Sequence, residues 1–153
     1  MVAPGLAKRN EPFGDKAGHR EKAAPNAAKL GETLAARGLR LVSGGTDNHL
    51  LLVDVGSIGL TGQEAEDALH AVDLTCNKNL IPYDAQPPMK TSGIRLGTAA
   101  ITTRGLGLAE MDRLGNWIAD VLDARGDAGV AARVKAEVAE VARAFPIYGP
   151  EPV

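Results

Sequence analysis

Apolar residues recur at spacings of three and four residues in three parts of the chain, and this period predicts three amphipathic helices. The first is expected from about Glu21 to a C-cap at Gly38, because glycine readily adopts the left-handed conformation that ends a helix. The other two lie towards the end of the chain, and Pro146 is expected to stop the last one. Their apolar faces are Ala24, Ala27, Leu30 and Leu34 in the first helix, Leu108, Met111, Leu114, Ile118, Val121 and Leu122 in the second, and Val130, Val134, Val138, Val141 and Phe145 in the third.

A fourth, shorter helix is predicted after the sequence Thr61-Gly62-Gln63-Glu64. This sequence has the form of a capping box, in which the threonine hydroxyl accepts a hydrogen bond from the third helical amide and Glu64 reaches back to the backbone. The helix is expected to bury four apolar residues, which are Ala65, Ala68, Leu69 and Val72.

Short apolar runs bounded by turn residues predict strands between the helices. Residues 39–42 and 50–55 are expected to pair as an antiparallel hairpin around a turn rich in Ser, Gly, Asp and Asn. Two further strands are predicted at 74–76 and 92–96, separated by an ordered loop at 80–90 that contains three prolines. The order of the elements predicts an α+β fold, in which helices cover a small, mostly antiparallel sheet.

The chain is expected to form one domain with loose ends. Residues 1–20 are rich in Gly, Pro and charge and show no apolar period, which predicts a loose N-terminal arm. Residues 21–148 form the predicted domain, and residues 149–153 a frayed tail. The length of 153 residues and the hydrophobic fraction of 44% suffice for one core, which Leu, Val, Ile and Ala must fill because aromatic residues make up only 3%.

Composition argues against several classes of function. The net charge of −2, with no basic stripe, disfavours a nucleic-acid partner. No segment reaches the length of a membrane span and the start lacks the apolar core of a signal peptide, so we expect a soluble, cytoplasmic protein with no membrane partner. The single cysteine, Cys76, cannot form an internal disulfide, and its surroundings favour a small buried hydrophobic residue over a catalytic thiol.

Arg95 is the first candidate for a ligand contact, because Gly93 and Gly97 lie on either side of it. The guanidinium presents a planar fork of donors that matches a carboxylate with two parallel hydrogen bonds, and glycines allow a ligand to approach closely. This pattern indicates a small anionic ligand, such as an amino acid. The alternative is an ion pair with an Asp or Glu of the fold.

The sequence Asn77-Lys78-Asn79 is the second candidate. Side-chain amides offer both a donor and an acceptor, which suits the edge of a heterocycle. From spacing alone, a polar turn at the end of a strand is the favoured interpretation, and Lys78 can simply be solvated.

Asp47, Asn48 and His49 form a third polar group, for which turn stabilisation is favoured over metal binding. Adjacent residues of a strand point to opposite faces, and the sequence identifies no third ligand. We therefore expect no metal.

Five segments together resemble the C-terminal domain of serine hydroxymethyltransferase, a family that uses pyridoxal phosphate and tetrahydrofolate. They are SGGTDNH at 43–49, LTG at 60–62, NKN at 77–79, TSGIRLGT at 91–98 and TTRG at 102–105. The resemblance runs from about Ala23 to Tyr148 and corresponds to only the last third or so of the family's length. It implies the small C-terminal domain of fold-type I pyridoxal-phosphate enzymes.

The resemblance also implies roles for two residues. In the family, the arginine that matches Arg95 binds the carboxylate of serine or glycine, and the asparagine that matches Asn79 lies at the folate pterin. The loop from Pro82 to Met89 borders the same folate site. The intact enzyme transfers the hydroxymethyl carbon of serine to tetrahydrofolate and leaves glycine, a step of one-carbon metabolism. One departure is Ala99, where the family commonly has proline, and this difference predicts a looser turn.

The family's cofactor lysine belongs to a Thr-Thr-His-Lys run, which does not occur in this sequence. The resemblance therefore implies that the lysine for pyridoxal phosphate is not in this chain, and that Lys78, the only lysine near the proposed site, does not replace it. We expect the isolated chain to be inactive. Three circumstances remain open: a remnant of a truncated gene, half of a split enzyme that acts with a large-domain chain, and a non-catalytic module that binds a full-length enzyme or a small ligand.

Overall fold

The computed structural model describes residues 16–42 and 50–145, with side chains described from residue 24 onward. Its helices are α1 (Lys16–Ala36), α2 (Gly62–His70), α3 (Ala99–Thr103), α4 (Leu108–Ala124) and α5 (Ala128–Ala144). Its strands are β1 (Arg40–Leu41), β2 (Leu50–Asp54), β3 (Asn77–Asn79) and β4 (Gly93–Gly97), and a 3₁₀ turn at Gly56–Ile58 comes after β2. Most of the predicted N-terminal arm, the predicted tail and the turn between β1 and β2 lie outside the described residues.

The four described strands form one antiparallel sheet in the order β1-β2-β4-β3. The predicted hairpin is present, since β1 pairs with β2. Strand β4 then lies between β2 and β3, although a long loop separates it from β3 in the sequence and a helix lies between β2 and both of them. Together with the five described helices, this sheet confirms the α+β prediction.

Helices cover one face of the sheet, and the period of two along the central strands decides which side chains they cover. Leu51 and Val53 of β2 and Ile94 and Leu96 of β4 are buried in the hydrophobic core. Helices α1 and α2 pack against this covered face, α4 packs across α1, and α5 packs on α4. The alternate residues of the same strands point to the opposite face, which we call the open face.

The predicted helix ends are largely confirmed. Gly38 has φ +89° and lies just beyond α1, where the amide of Leu39 donates to the carbonyl of Leu34 at 3.1 Å. The Thr61 hydroxyl accepts from the Glu64 amide at 3.2 Å. The Glu64 carboxylate accepts from that same hydroxyl instead of from the backbone, so only half of the capping box forms as predicted. Helix α1 begins at Lys16, earlier than the expected start near Glu21.

The strand predicted at 74–76 is wrong, because this segment ends helix α2. Asp73 has φ +65°, and the amide of Leu74 donates to the carbonyl of Leu69 at 2.9 Å, so it caps the helix rather than pairing with a neighbouring strand. Pairing with the sheet starts only at Asn77, which lies opposite Arg95. The apolar character of 74–76 reflects contact with the core and not a place in the sheet.

Two further differences from the sequence predictions lie at helices. Leu108 is 53% exposed, because it is the first residue of α4 and lies beyond the core. Helix α3 is absent from the sequence predictions, and buried polar contacts fix it. The Asn26 side-chain amide of α1 donates to the Thr102 hydroxyl at 2.9 Å and to the Leu106 carbonyl at 3.0 Å. Ala99 is the first residue of α3, a position that suits proline in a helix but does not require it.

None of the helices in the described part of the chain is both long and apolar enough to cross a membrane.

Candidate functional site

Arg95 lies in the centre of the open face. It is level with Leu52 of β2 on one side and with Asn77 of β3 on the other. Its side chain is exposed, and among the described residues no hydrogen bond or ion pair holds the guanidinium. The alternative of a structural ion pair is therefore not supported by this part of the chain, and the donors of the fork face outward.

A second arginine of the sheet shows what a paired guanidinium looks like in the same fold. Arg40 of β1 lies opposite Asp54 of β2, and their side chains form an ion pair at 2.6 Å. Asp54 is only 6% exposed and also accepts a hydrogen bond from the Ser57 amide at 3.2 Å. The two arginines of the sheet thus differ: Arg40 is paired with Asp54, whereas Arg95 is exposed and has no ion-pair partner among the described residues.

Asn79 lies on the same open face as Arg95. It is level with Gly93, two residues before Arg95 in β4, and such diagonal neighbours lie roughly 7–8 Å apart. A Cβ atom on Gly93 would lie 2.7 Å from Ile81 Cγ2 and 2.8 Å from the Asn79 carbonyl oxygen. Only glycine therefore lets β3 and the loop after it approach β4 this closely. Arg95 and Asn79 lie on one surface, because paired residues share a face of the sheet and Gly93, opposite Asn79, is two residues from Arg95.

Lys78 points away from this surface. Its ammonium donates to the side-chain oxygen of Gln63 in α2, and its backbone amide donates to the Glu66 carboxylate at 2.6 Å. Because adjacent strand residues face opposite sides, Lys78 lies against the helices while Asn77 and Asn79 lie on the open face. The backbone of Lys78 is thus next to the proposed site, opposite Ile94, but its ammonium is on the other face and is bonded to Gln63 rather than simply solvated.

Asp84 organises the loop between β3 and β4, and sequence reasoning missed it. One carboxylate oxygen accepts from the Ile81 amide at 3.2 Å and the Ser92 amide at 2.7 Å. The other accepts from the Gln86 amide at 2.8 Å and the Ser92 hydroxyl at 2.6 Å. Burial raises the pKa of Asp84, but the hydrogen bonds from Ser92, Gln86 and Ile81 outweigh it and lower the pKa to about 2. The available signal was an Asp after Ile-Pro-Tyr, a composition typical of turns capped by a side chain.

The Thr-Thr-Arg-Gly segment at 102–105 serves the fold and not the open face. The Arg104 guanidinium donates to the carbonyls of Phe145 at 2.7 Å and Ala142 at 2.9 Å, at the C-terminal end of α5. A cation at this end also interacts favourably with the negative C-terminal end of the helix dipole. Arg104 therefore ties the C-terminal helix to the short helix after β4.

Comparison with known proteins assigns this arrangement to a family. The model of the serine hydroxymethyltransferase family matches residues 13–118. The chain belongs to the serine hydroxymethyltransferase family. A serine hydroxymethyltransferase from Polynucleobacter asymbioticus is 53% identical over 131 residues, which cover 86% of this chain and 32% of that protein. One from Acidobacterium capsulatum is 45% identical over 149 residues, which cover 97% of this chain and 35% of that protein.

The chain thus spans about a third of the length of its serine hydroxymethyltransferase relatives. The five segments that carry the resemblance fall within residues 13–118. Arg95 and Asn79, which belong to two of these segments, lie on the open face of the sheet. Of the described strands, only β3 carries a lysine, and that lysine is Lys78 on the covered face. Among the described strands, the exposed guanidinium of Arg95 is thus a cationic side chain on the open face that has the chemistry to accept a carboxylate.

Of the two remaining candidates, only Cys76 lies among the described residues. Cys76 is 4% exposed, burial raises the pKa of its thiol to about 12, and the charge of Glu66 adds to the rise. The thiol is protonated and buried, which confirms the expectation of a small hydrophobic residue. Asp47, Asn48 and His49 lie outside the described residues. Among those that are described, no three His, Cys, Asp or Glu residues are grouped so as to hold a metal ion.

Proposed function

We propose that this chain provides the substrate-carboxylate and folate surface of a serine hydroxymethyltransferase, and that it does not carry out the reaction alone. The observation that carries the proposal is the exposed Arg95 at the centre of the open face, unpaired among the described residues, with Asn79 on the same face. The intact reaction converts serine and tetrahydrofolate to glycine and methylenetetrahydrofolate.

The proposed role of Arg95 is to bind and orient serine or glycine. Its guanidinium forms two parallel hydrogen bonds with the amino-acid carboxylate, a geometry that an ammonium cannot reproduce. Its position on a strand paired on both sides fixes the Cα of Arg95, while the exposed Gly97 on the same face leaves space for the ligand beside it. A rigid strand thus holds the amino acid by the end that does not react.

Asn79 is proposed to orient the folate ring. Its Nδ2 donates to the Leu80 carbonyl at 2.9 Å, which fixes the amide plane and directs the side-chain oxygen elsewhere as an acceptor. A pterin presents N–H donors along its edge and suits such an acceptor. Tyr83 and Met89 of the loop after β3 are exposed, and we propose that they offer apolar contacts to the ring.

Pyridoxal phosphate supplies the electron sink for the chemistry when it is bound. We propose that its lysine comes from a second region or chain, namely a large domain or a full-length enzyme, which packs against the open face. Leu50 lies opposite Gly97 on this face, is 39% exposed and offers an apolar contact for such a partner. The chain would then contribute binding and orientation, and the partner would contribute the cofactor.

Reconstitution tests this proposal. The chain is mixed with the part of the P. asymbioticus enzyme that it does not match, and serine cleavage is measured with pyridoxal phosphate and tetrahydrofolate. We expect activity in the mixture and none in either part alone. Borohydride treatment with the cofactor should leave no stoichiometric adduct on the isolated chain, at Lys78 in particular, because the Lys78 ammonium bonds to Gln63 on the covered face.

The other outcomes discriminate between the alternatives. Activity in the mixture supports half of a split enzyme. A folded chain that binds a full-length enzyme without restoring activity supports a non-catalytic module. An insoluble chain supports a gene remnant, because the open face would then expose its apolar residues to water. Serine cleavage by the isolated chain would contradict the proposal.

A further inference from the structure

The strand that carries Arg95 pairs with a neighbour on both sides, whereas the strand that carries Asn79 pairs with a described neighbour on one side. Arg95 lies in β4, which pairs with β2 over five residues and with β3 over three. Asn79 is the last residue of β3, which pairs only with β4. The place of Arg95 is therefore fixed from both sides. The place of Asn79 depends on the loop that leads from β3 back to β4.

The two ends of this loop meet at one atom. Oδ2 of Asp84 accepts from the amide of Ile81, two residues after Asn79, and from the amide of Ser92, one residue before Gly93. Since Asn79 is level with Gly93, this oxygen closes the loop immediately beyond the last pair of the β3–β4 ladder. Oδ1 adds the Ser92 hydroxyl and the Gln86 amide. A carboxylate has the acceptor capacity for these four hydrogen bonds, and a neutral amide does not.

We propose that Asp84 is a positioning residue, which sets the place of the Asn79 amide relative to Arg95 and thereby the affinity for folate without touching either ligand. This inference rests on the proposed function. It predicts an asymmetry: loss of the carboxylate displaces Asn79 and leaves Arg95 in place. A shift of about 1 Å at a positioning group is enough to change a rate or an affinity on the order of a hundredfold.

The test uses Asp84→Asn, with Ser92→Ala as a milder variant that removes one of the four hydrogen bonds. Asp127→Asn is the matched control, since Asp127 also accepts two backbone amides, those of Gly129 and Val130, but at the start of α5. In the reconstituted enzyme we expect Asp84→Asn to raise the KM for tetrahydrofolate at least tenfold and to leave the KM for serine within twofold. Ser92→Ala should shift the folate KM in the same direction by less, and the control should change neither.

A second readout uses the chain alone, so the inference does not depend on successful reconstitution. In NMR spectra, Asp84→Asn should shift or broaden the amide signals of residues 77–79 more than those of residues 94–96, which also pair with β2. An unchanged signal of Asn79 would overturn the inference, and so would equal rises in both KM values, which indicate a general structural role. If Arg95→Lys fails to raise the KM for serine, the proposed function fails independently of Asp84.

Discussion

Substitution of Gly115 by alanine should destabilise the protein, although alanine is the better helix former. Gly115 lies inside α4 where this helix crosses α1, and a Cβ atom there would lie 2.6 Å from Thr33 Cγ2 and 2.8 Å from Thr33 Cβ. Both distances are shorter than real Cβ contacts allow. The gain in helix propensity is about 1 kcal/mol, and overpacking of a filled core costs about 1–3 kcal/mol.

The surroundings of Thr33 decide which term is larger. Its hydroxyl lies 2.9 Å from the Asp112 carboxylate and 3.1 Å from the carbonyl of Lys29 and shares its one hydrogen between these acceptors, so the side chain cannot rotate away without losing them. The Cβ of Thr33 is bonded directly to the backbone of α1 and moves only with that helix. We therefore expect the overpacking cost to exceed the gain, and Gly115→Ala to lower the free energy of unfolding by up to about 2 kcal/mol.

Gly31→Ala is the matched control, because Gly31 also lies inside a helix at a packed contact. A Cβ there would lie 3.1 Å from Leu41 Cδ1 and 3.3 Å from Leu51 Cδ2, which are the far ends of flexible side chains. This variant should be neutral or stabilising by up to about 1 kcal/mol. Urea unfolding monitored by the fluorescence of the buried Trp117 measures both. A Gly115→Ala protein that is more stable than the parent, with an unchanged urea dependence, would refute the argument.

Three further predictions concern single side chains. Arg104→Met removes two charge-assisted hydrogen bonds to the end of α5 and should lower the free energy of unfolding, measured with urea, by about 1–3 kcal/mol. No loss of stability would show that water replaces the guanidinium at these carbonyls. Cys76 should react with a thiol reagent at pH 8 only at the rate of unfolding, since burial raises its pKa to about 12, and fast labelling of the native chain would contradict the buried position. The pKa of Asp84 is about 2 in the folded chain against an ordinary value of 3.8, so its contribution to stability is present above pH 3.8 and is lost as the pH falls towards 2. The free energy of unfolding of Asp84→Asn should therefore depend less on pH between 3.8 and 2 than that of the parent. An equal pH dependence of the two proteins would argue against the hydrogen bonds to Asp84.

Local sequence patterns predicted the helices and strands that bury one face against the core along their whole length. Leu30 and Leu34 in α1, and Ile118 and Leu122 in α4, lie in the core as their helical spacing predicts. The same period of two that buries Ile94 and Leu96 turns Arg95 outward, so its exposure results from its position between apolar neighbours. These features depend only on residues a few positions apart.

Features that depend on distant residues were missed. Nothing local distinguishes residues 74–76 from a strand, because the hydrogen bond from Leu74 to Leu69 and the pairing of Asn77 with Arg95 decide where the sheet begins. Helix α3 likewise depends on the bond from Asn26 to Thr102, across more than seventy residues of sequence. The direction of the Lys78 side chain depends in the same way on the pairing of β3 with β4, which no local pattern gives.

The role of Asp84 was beyond a sequence argument for a similar reason. A turn composition indicates that an aspartate accepts hydrogen bonds from nearby backbone amides. It does not indicate that these amides lie at the two loop ends next to Asn79 and Gly93. That relation appears only once the ladder places Asn79 level with Gly93. The family resemblance named Arg95 and Asn79, and the loop geometry adds Asp84 as the residue proposed to hold them in register.

The most direct test of the central claim is the KM for serine of the reconstituted enzyme with Arg95→Lys, compared with Arg40→Lys as the control. Both variants keep a positive charge on the sheet, but only Arg95 is proposed to bind the carboxylate, while Arg40 is paired with Asp54. Loss of the bidentate geometry is worth about 1.5–3 kcal/mol, so Arg95→Lys should raise the KM roughly ten- to a hundredfold. The control should change it by less than twofold. An unchanged KM in Arg95→Lys, or equal effects of the two variants, would contradict the account.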